Sequence, residues 1–176
     1  MPNGLRRLVV SLAVAGLLLQ VGAGLLFSSA GPIASVENRL HWAHGPLLLV
    51  LLLALTVAGD LVSVRVRHGE ESEELTLFEA AVVIDVLLLP AVPALIVPVL
   101  ASVLCSVVRR RELVKTVFNA ANLAAATAVF VVLVHSLATA GSGLSGRTVL
   151  ALVLGTLAFT SINLVALSRV YGLLGG

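Results

Sequence analysis

Six apolar stretches recur along this chain, each closed by basic residues, turn residues or both, and the first covers residues 8–27. Twenty residues at about 1.5 Å of helical rise span the roughly 30 Å hydrocarbon layer of a bilayer. The remaining stretches are 46–64, 76–90, 93–108, 116–134 and 148–168. The expected fold class is therefore all-α: a polytopic membrane protein of six transmembrane helices, with a short central helical hairpin made by helices three and four. Composition agrees. Of 176 residues 59% are hydrophobic and 11% charged, against about 25% charged in an ordinary soluble domain, and the mean hydropathy is +1.12. No polar block is large enough to fold separately in water, so residues 1–176 form a single transmembrane domain. The net charge of +2 does not point to nucleic acid, because the basic residues sit at the ends of apolar segments, where they set orientation. A single cysteine, Cys105, excludes an internal disulfide and a metal-binding cysteine pair.

Arg6 and Arg7 precede the first segment, and Ser28, Ser29 and Ala30 follow it. The pattern resembles a signal peptide, but the apolar run exceeds the roughly 7–15 residues expected of one, and a retained anchor is the better reading. Residues 28–45 form a loop in which Trp42 suits the membrane–water interface. Segment two opens on Pro46 and stops at Arg65, Arg67 and His68. Residues 69–74, GEESEE, read as a short solvated acidic connector. Thr76-Leu77-Phe78-Glu79 matches a capping box, which gives Glu79 a structural task at a helix start. Segments three and four are each about sixteen residues, roughly 24 Å, so the hairpin either spans thinly or is partly re-entrant. Arg109, Arg110, Arg111 and Lys115 close it. Residues 136–146 are a flexible loop of turn residues.

Six spans put Arg6, Arg7, Arg65, Arg67, Arg109, Arg110, Arg111, Lys115 and Arg169 on one side, and Arg39 and Arg147 on the other. Basic residues gather on the cytoplasmic side. The expected location is a cell (inner) membrane, with both termini cytoplasmic. Small residues spaced by four, Ala54 and Ala58 in segment two and Ala120, Ala124 and Ala128 in segment five, suit close helix contacts.

Ionisable groups at membrane depth are costly, and they are kept where they face a bundle interior or a wet cavity. Asp85 lies about nine residues into segment three, and it either lines a functional cavity or makes a structural hydrogen bond. Glu79 and Asp85, six residues apart, diverge by roughly 120° around a helix and do not form a paired acid/base site. Asp60 lies near a helix end, within reach of headgroup-level arginines. Asn119 and Asn122 share one face of segment five, either as interhelical glue or as ligand-binding amides. With Asp60, Asp85, Thr160 and Asn163 they fall in the cytoplasmic half of the bundle. The candidate ligand-binding residues are thus Asp85, Asn119, Asn122, Asn163, Asp60 and Glu79. His41, His44 and His135, with Glu37, have types that bind zinc, but they collect at an interface around Trp42, and no metal site or cofactor is expected. No glycine-rich phosphate loop, serine-centred elbow or HExxH motif occurs, so no catalytic activity is expected.

Residues 75–122 carry a resemblance. LTLFEAAVVIDVLLLP, a short turn, an apolar arm and then RRRELVKTVFNAANLAAA resemble the membrane-embedded N-terminal sensor regions that precede GGDEF, EAL or HD-GYP output domains in bacterial, particularly actinobacterial, signalling proteins. A basic stop followed by an FNAAQ-like sequence recurs there, matched here by Phe118-Asn119-Ala120-Ala121-Asn122. The resemblance implies a sensory or localising role, with a cytoplasmic C-terminus feeding an output domain. No output domain lies within residues 1–176, so a stand-alone relative or a truncated piece is expected. Two alternatives stand beside it. Six helices and an L-T-x-x-E opening are also similar to the small substrate-capture subunits of energy-coupling-factor transporters, and a structural membrane subunit needs no ligand. The expected partners are the lipid bilayer, a small-molecule ligand and a membrane or cytoplasmic signalling protein.

Overall fold

A computed structural model describes residues 3–33, 45–68, 71–138 and 145–174. All six expected helices are present: α1 (Asn3–Leu26), α2 (Gly45–Leu61), α3 (Phe78–Leu88), α4 (Ala91–Val108), α5 (Leu113–Leu137) and α6 (Gly146–Leu174). Four of them, α1, α4, α5 and α6, are long and apolar enough to cross a membrane. Large hydrophobic side chains such as Leu17, Leu18, Leu25, Leu51, Leu157 and Leu164 face outward, which water-soluble proteins avoid over wide areas and lipid accepts. The chain is a helical membrane protein.

The helices α3 and α4 form the expected hairpin, joined by Leu89 and Pro90 alone. The first arm is shorter than the sequence suggests. It has eleven residues, about 16 Å of helix, and does not cross a bilayer by itself. Thr76, Leu77, Leu89 and Pro90 fall outside it, and a two-stranded hairpin, β1 (Ser63–His68) and β2 (Glu71–Thr76), takes up the end of segment two and most of the expected acidic connector. The period-two run SVRVRH favours a strand, and the antiparallel register runs from Ser63 opposite Thr76 to His68 opposite Glu71. The residue before α3 is Leu77, which gives no side-chain cap, and the Thr76 side chain of the expected capping box lies outside the described residues. Glu79 instead sits exposed in the first turn, where a negative charge suits the helix dipole.

The central element is α5, which packs against α1, α4 and α6, while α2 packs against α3 and α4. Its alanines make this feasible, since helices in lipid associate through close backbone approach rather than through a hydrophobic drive. Ala121, Ala124, Ala125, Ala126 and Ala128 are all buried. A Cβ built on Gly16 of α1 would stand 2.5 Å from the Ala121 carbonyl oxygen. On α2 the contact face differs from the expected one: Ala54 and Ala58 are exposed, and Leu52, Thr56 and Gly59 are buried. Gln20, in the middle of α1, donates from Nε2 to the Leu95 carbonyl at 2.9 Å and the Ala124 carbonyl at 3.4 Å, tying α1 to α4 and α5.

The helices run alternately, which sorts the bundle into two ends. At one end Val9, Phe118 and Ala166 pack together, uniting the start of α1, the start of α5 and the second half of α6. At the other, the Ala91 amide donates to the Ala30 carbonyl at 3.3 Å, and the rings of Phe27 and His135 meet.

Candidate functional site

Toward the first of these ends a cavity of about 160 Å³ opens between five helices. Asp60 comes from the last turn of α2, Phe78 from the start of α3, Ser102 from α4, Asn119, Asn122 and Leu123 from α5, and Asn163 from α6, while Arg111 follows α4. Asp60, Asn119, Asn122 and Asn163, four of the residues singled out in the sequence, are brought together here. Asn122 and Asn163 meet directly, the Asn122 Nδ2 donating to the Asn163 Oδ1 at 2.7 Å. Asn122 is only 8% exposed, and its Oδ1 has no hydrogen-bond partner among the described residues.

The end of α4 shapes this site. The Arg110 amide donates to the Val107 carbonyl at 3.0 Å and the Arg111 amide to the Ser106 carbonyl at 2.9 Å, the two bonds of a Schellman turn. That turn needs a left-handed residue, usually glycine, and Arg110 supplies it with φ 51°. The three arginines consequently diverge. Arg109 turns to α2 and donates from Nη2 to the Asp60 carbonyl at 2.6 Å, capping that helix; Arg110 is exposed; Arg111 lines the cavity. The sequence presents all three as one basic stop, and only the turn separates their tasks.

Arg109 donates to the Asp60 backbone and forms no ion pair with its carboxylate, which lies against the Cys105 thiol. Asp60 and Arg111 line the same cavity without forming an ion pair with each other, and the Lys115–Glu112 pair lies outside it. The cavity is thus lined by one acid, one base, three carboxamides and a hydroxyl, with Phe78 and Leu123 as its apolar wall. It can hold a small polar molecule through both signs of charge.

Asp85 and Glu79 do not line this cavity. Asp85 is 0% exposed and faces α2, where the Thr56 hydroxyl lies 2.8 Å from its Oδ2 and 2.8 Å from the Leu52 carbonyl oxygen. Here Asp85 ties α3 to α2. Thr160 does not line the cavity either. His135 stands toward the other end against Phe27, while Glu37, His41 and His44, and Arg39 and Trp42 with them, lie outside the described residues. Sequence reasoning missed Ser102, Arg111, Phe78, Thr56 and Gln20. Gln20 had a usable signal, a lone carboxamide within an apolar segment, whereas Ser102 is unremarkable until α4 is placed against α5. No family model, curated protein or solved structure matches the chain.

Proposed function

We propose that this chain is a ligand-binding membrane module of a bacterial signalling system, without catalytic activity of its own, seated in the inner membrane with both termini cytoplasmic. The observation that carries the reading is the cavity that gathers Asp60, Asn119, Asn122, Asn163 and Arg111 between five helices. Polar and charged groups at this depth are costly, and a bundle keeps them where they face an interior site. The resemblance of residues 75–122 to sensor regions supports signalling as the context. In such a module the ligand's contacts to α2, α5 and α6 shift the packing of helices whose ends lead toward a cytoplasmic partner.

Thermal unfolding of the purified protein against a library of small polar metabolites tests this. A ligand at a hundredfold excess over its dissociation constant adds about 2.7 kcal/mol, which raises Tm by roughly 5–10 °C for a chain of this size. Asn163→Leu, which puts methyl groups in place of the polar atoms and removes the acceptor of Asn122, is expected to lose that rise. Asp85→Asn lies outside the cavity and keeps it. A library that stabilises neither wild type nor Asp85→Asn sinks the ligand-binding reading.

A further inference from the structure

The Asp60 carboxylate and the Arg111 guanidinium share one small cavity yet do not pair with each other. An acidic side chain in the last turn of a helix opposes the helix dipole, so its own helix does not favour Asp60 there. The Arg109 guanidinium donates to the Asp60 and Leu61 backbone carbonyls rather than pairing with the Asp60 carboxylate. Around the two charges stand the side chains of Asn119, Asn122 and Asn163. Size narrows the choice further. An apolar cavity of about 150 Å³ takes a six-carbon ring, so the 160 Å³ here suits about six or seven heavy atoms.

We propose that the cavity takes a small amphoteric group, an ammonium facing Asp60 and an oxyanion facing Arg111, on the scale of a small α-amino acid. The inference rests on the ligand-binding reading above and names its ligand class. The same chemistry is offered by a free amino acid and by an ethanolamine-phosphate lipid headgroup, and an experiment separates the two.

Tm of the full chain is measured in detergent with glycine, L-alanine and L-serine. The comparison compounds are N-acetyl-L-alanine, which lacks the cation, and L-alaninamide, which lacks the anion. A parallel arm uses phosphatidylglycerol nanodiscs with and without phosphatidylethanolamine. The expected result is a rise of several degrees with a zwitterionic amino acid, and little or none with either blocked form; a rise confined to phosphatidylethanolamine nanodiscs assigns the headgroup as the source. Asp60→Asn and Arg111→Gln each lose the response, and Arg111→Lys restores part of it. The wild-type comparison of blocked and unblocked compounds stands even where a variant does not fold. Equal stabilisation by the blocked compounds overturns the amphoteric assignment. So does stabilisation by uncharged metabolites alone, which leaves the ligand-binding reading intact; no response to any compound or lipid removes both.

Discussion

Arg110 holds a left-handed backbone conformation that costs an L-residue about 1–2 kcal/mol and glycine almost nothing. Its side chain is exposed, so nothing visible in the packing compensates for the strain. Arg110→Gly is therefore expected to stabilise the protein by roughly 0.5–1 kcal/mol, because glycine's extra freedom in the unfolded chain returns part of the gain. A melt in detergent should show Tm rising by about 1–4 °C. The neighbouring Arg109→Gln works in the opposite direction. It removes a charged donor from the Asp60 carbonyl, a bond of a type worth about 1.5–3 kcal/mol, and a variant that melts with wild type would show that water replaces this cap freely. Residue identity alone did not make these roles legible. RRR reads as a topology signal, and only the Schellman turn sends Arg109 to α2 and Arg111 to the cavity. Asn119, Asn122 and Asn163 were legible because carboxamides in apolar segments stand out against their surroundings.

At the scale of elements, the close crossing of α1 and α5 depends on Gly16. Alanine there would set its Cβ 2.5 Å from the Ala121 carbonyl oxygen, a backbone atom inside the most buried helix, so the two helices must separate. Overpacking of this kind costs about 1–3 kcal/mol. Gly16→Ala is expected to lower Tm by roughly 2–12 °C, whereas Gly22→Ala, with nothing within 4 Å of the new Cβ, leaves it level or slightly raised. Equal melting of the two variants would mean that the α1–α5 contact is looser than drawn. The helices themselves were legible because apolar length and basic stops survive any packing. Their contact faces were not: Ala54 and Ala58 have the spacing of a packing motif yet face outward, and Thr56 and Gly59 face inward. The hairpin of β1 and β2 did carry a local signal in SVRVRH, a period-two pattern hidden beside the stronger reading of arginines as a membrane stop. The third helix is cut to eleven residues at both ends, starting only at Phe78 and stopping at Leu88, before Pro90.

For the whole molecule, orientation follows from charge and from how the helices alternate. The start of α1, the start of α5 and the latter half of α6 meet at one end, and the cavity opens toward that end, beside Arg111 and the close of α2. Under the alternating arrangement this end carries nine of the eleven basic residues, all but Arg39 and Arg147. Lysine and arginine accumulate on the cytoplasmic side within about 15–20 residues of a span, so the end with the cavity is expected to face the cytoplasm. Fluorescent protein and alkaline phosphatase fused after Gly176 report this directly: the first should fluoresce, the second should be inactive, and phosphatase inserted after Gly141 should be active. The reverse pattern would turn the cavity outward. A cytoplasmic ligand could then no longer reach it, and the site would have to be read as a receptor for molecules from outside the cell. Because α3 is too short to span alone, the Gly141 insertion decides more than the terminal fusion does: an inactive phosphatase there, with a fluorescent C-terminus, would mean that α5 and α6 do not both cross.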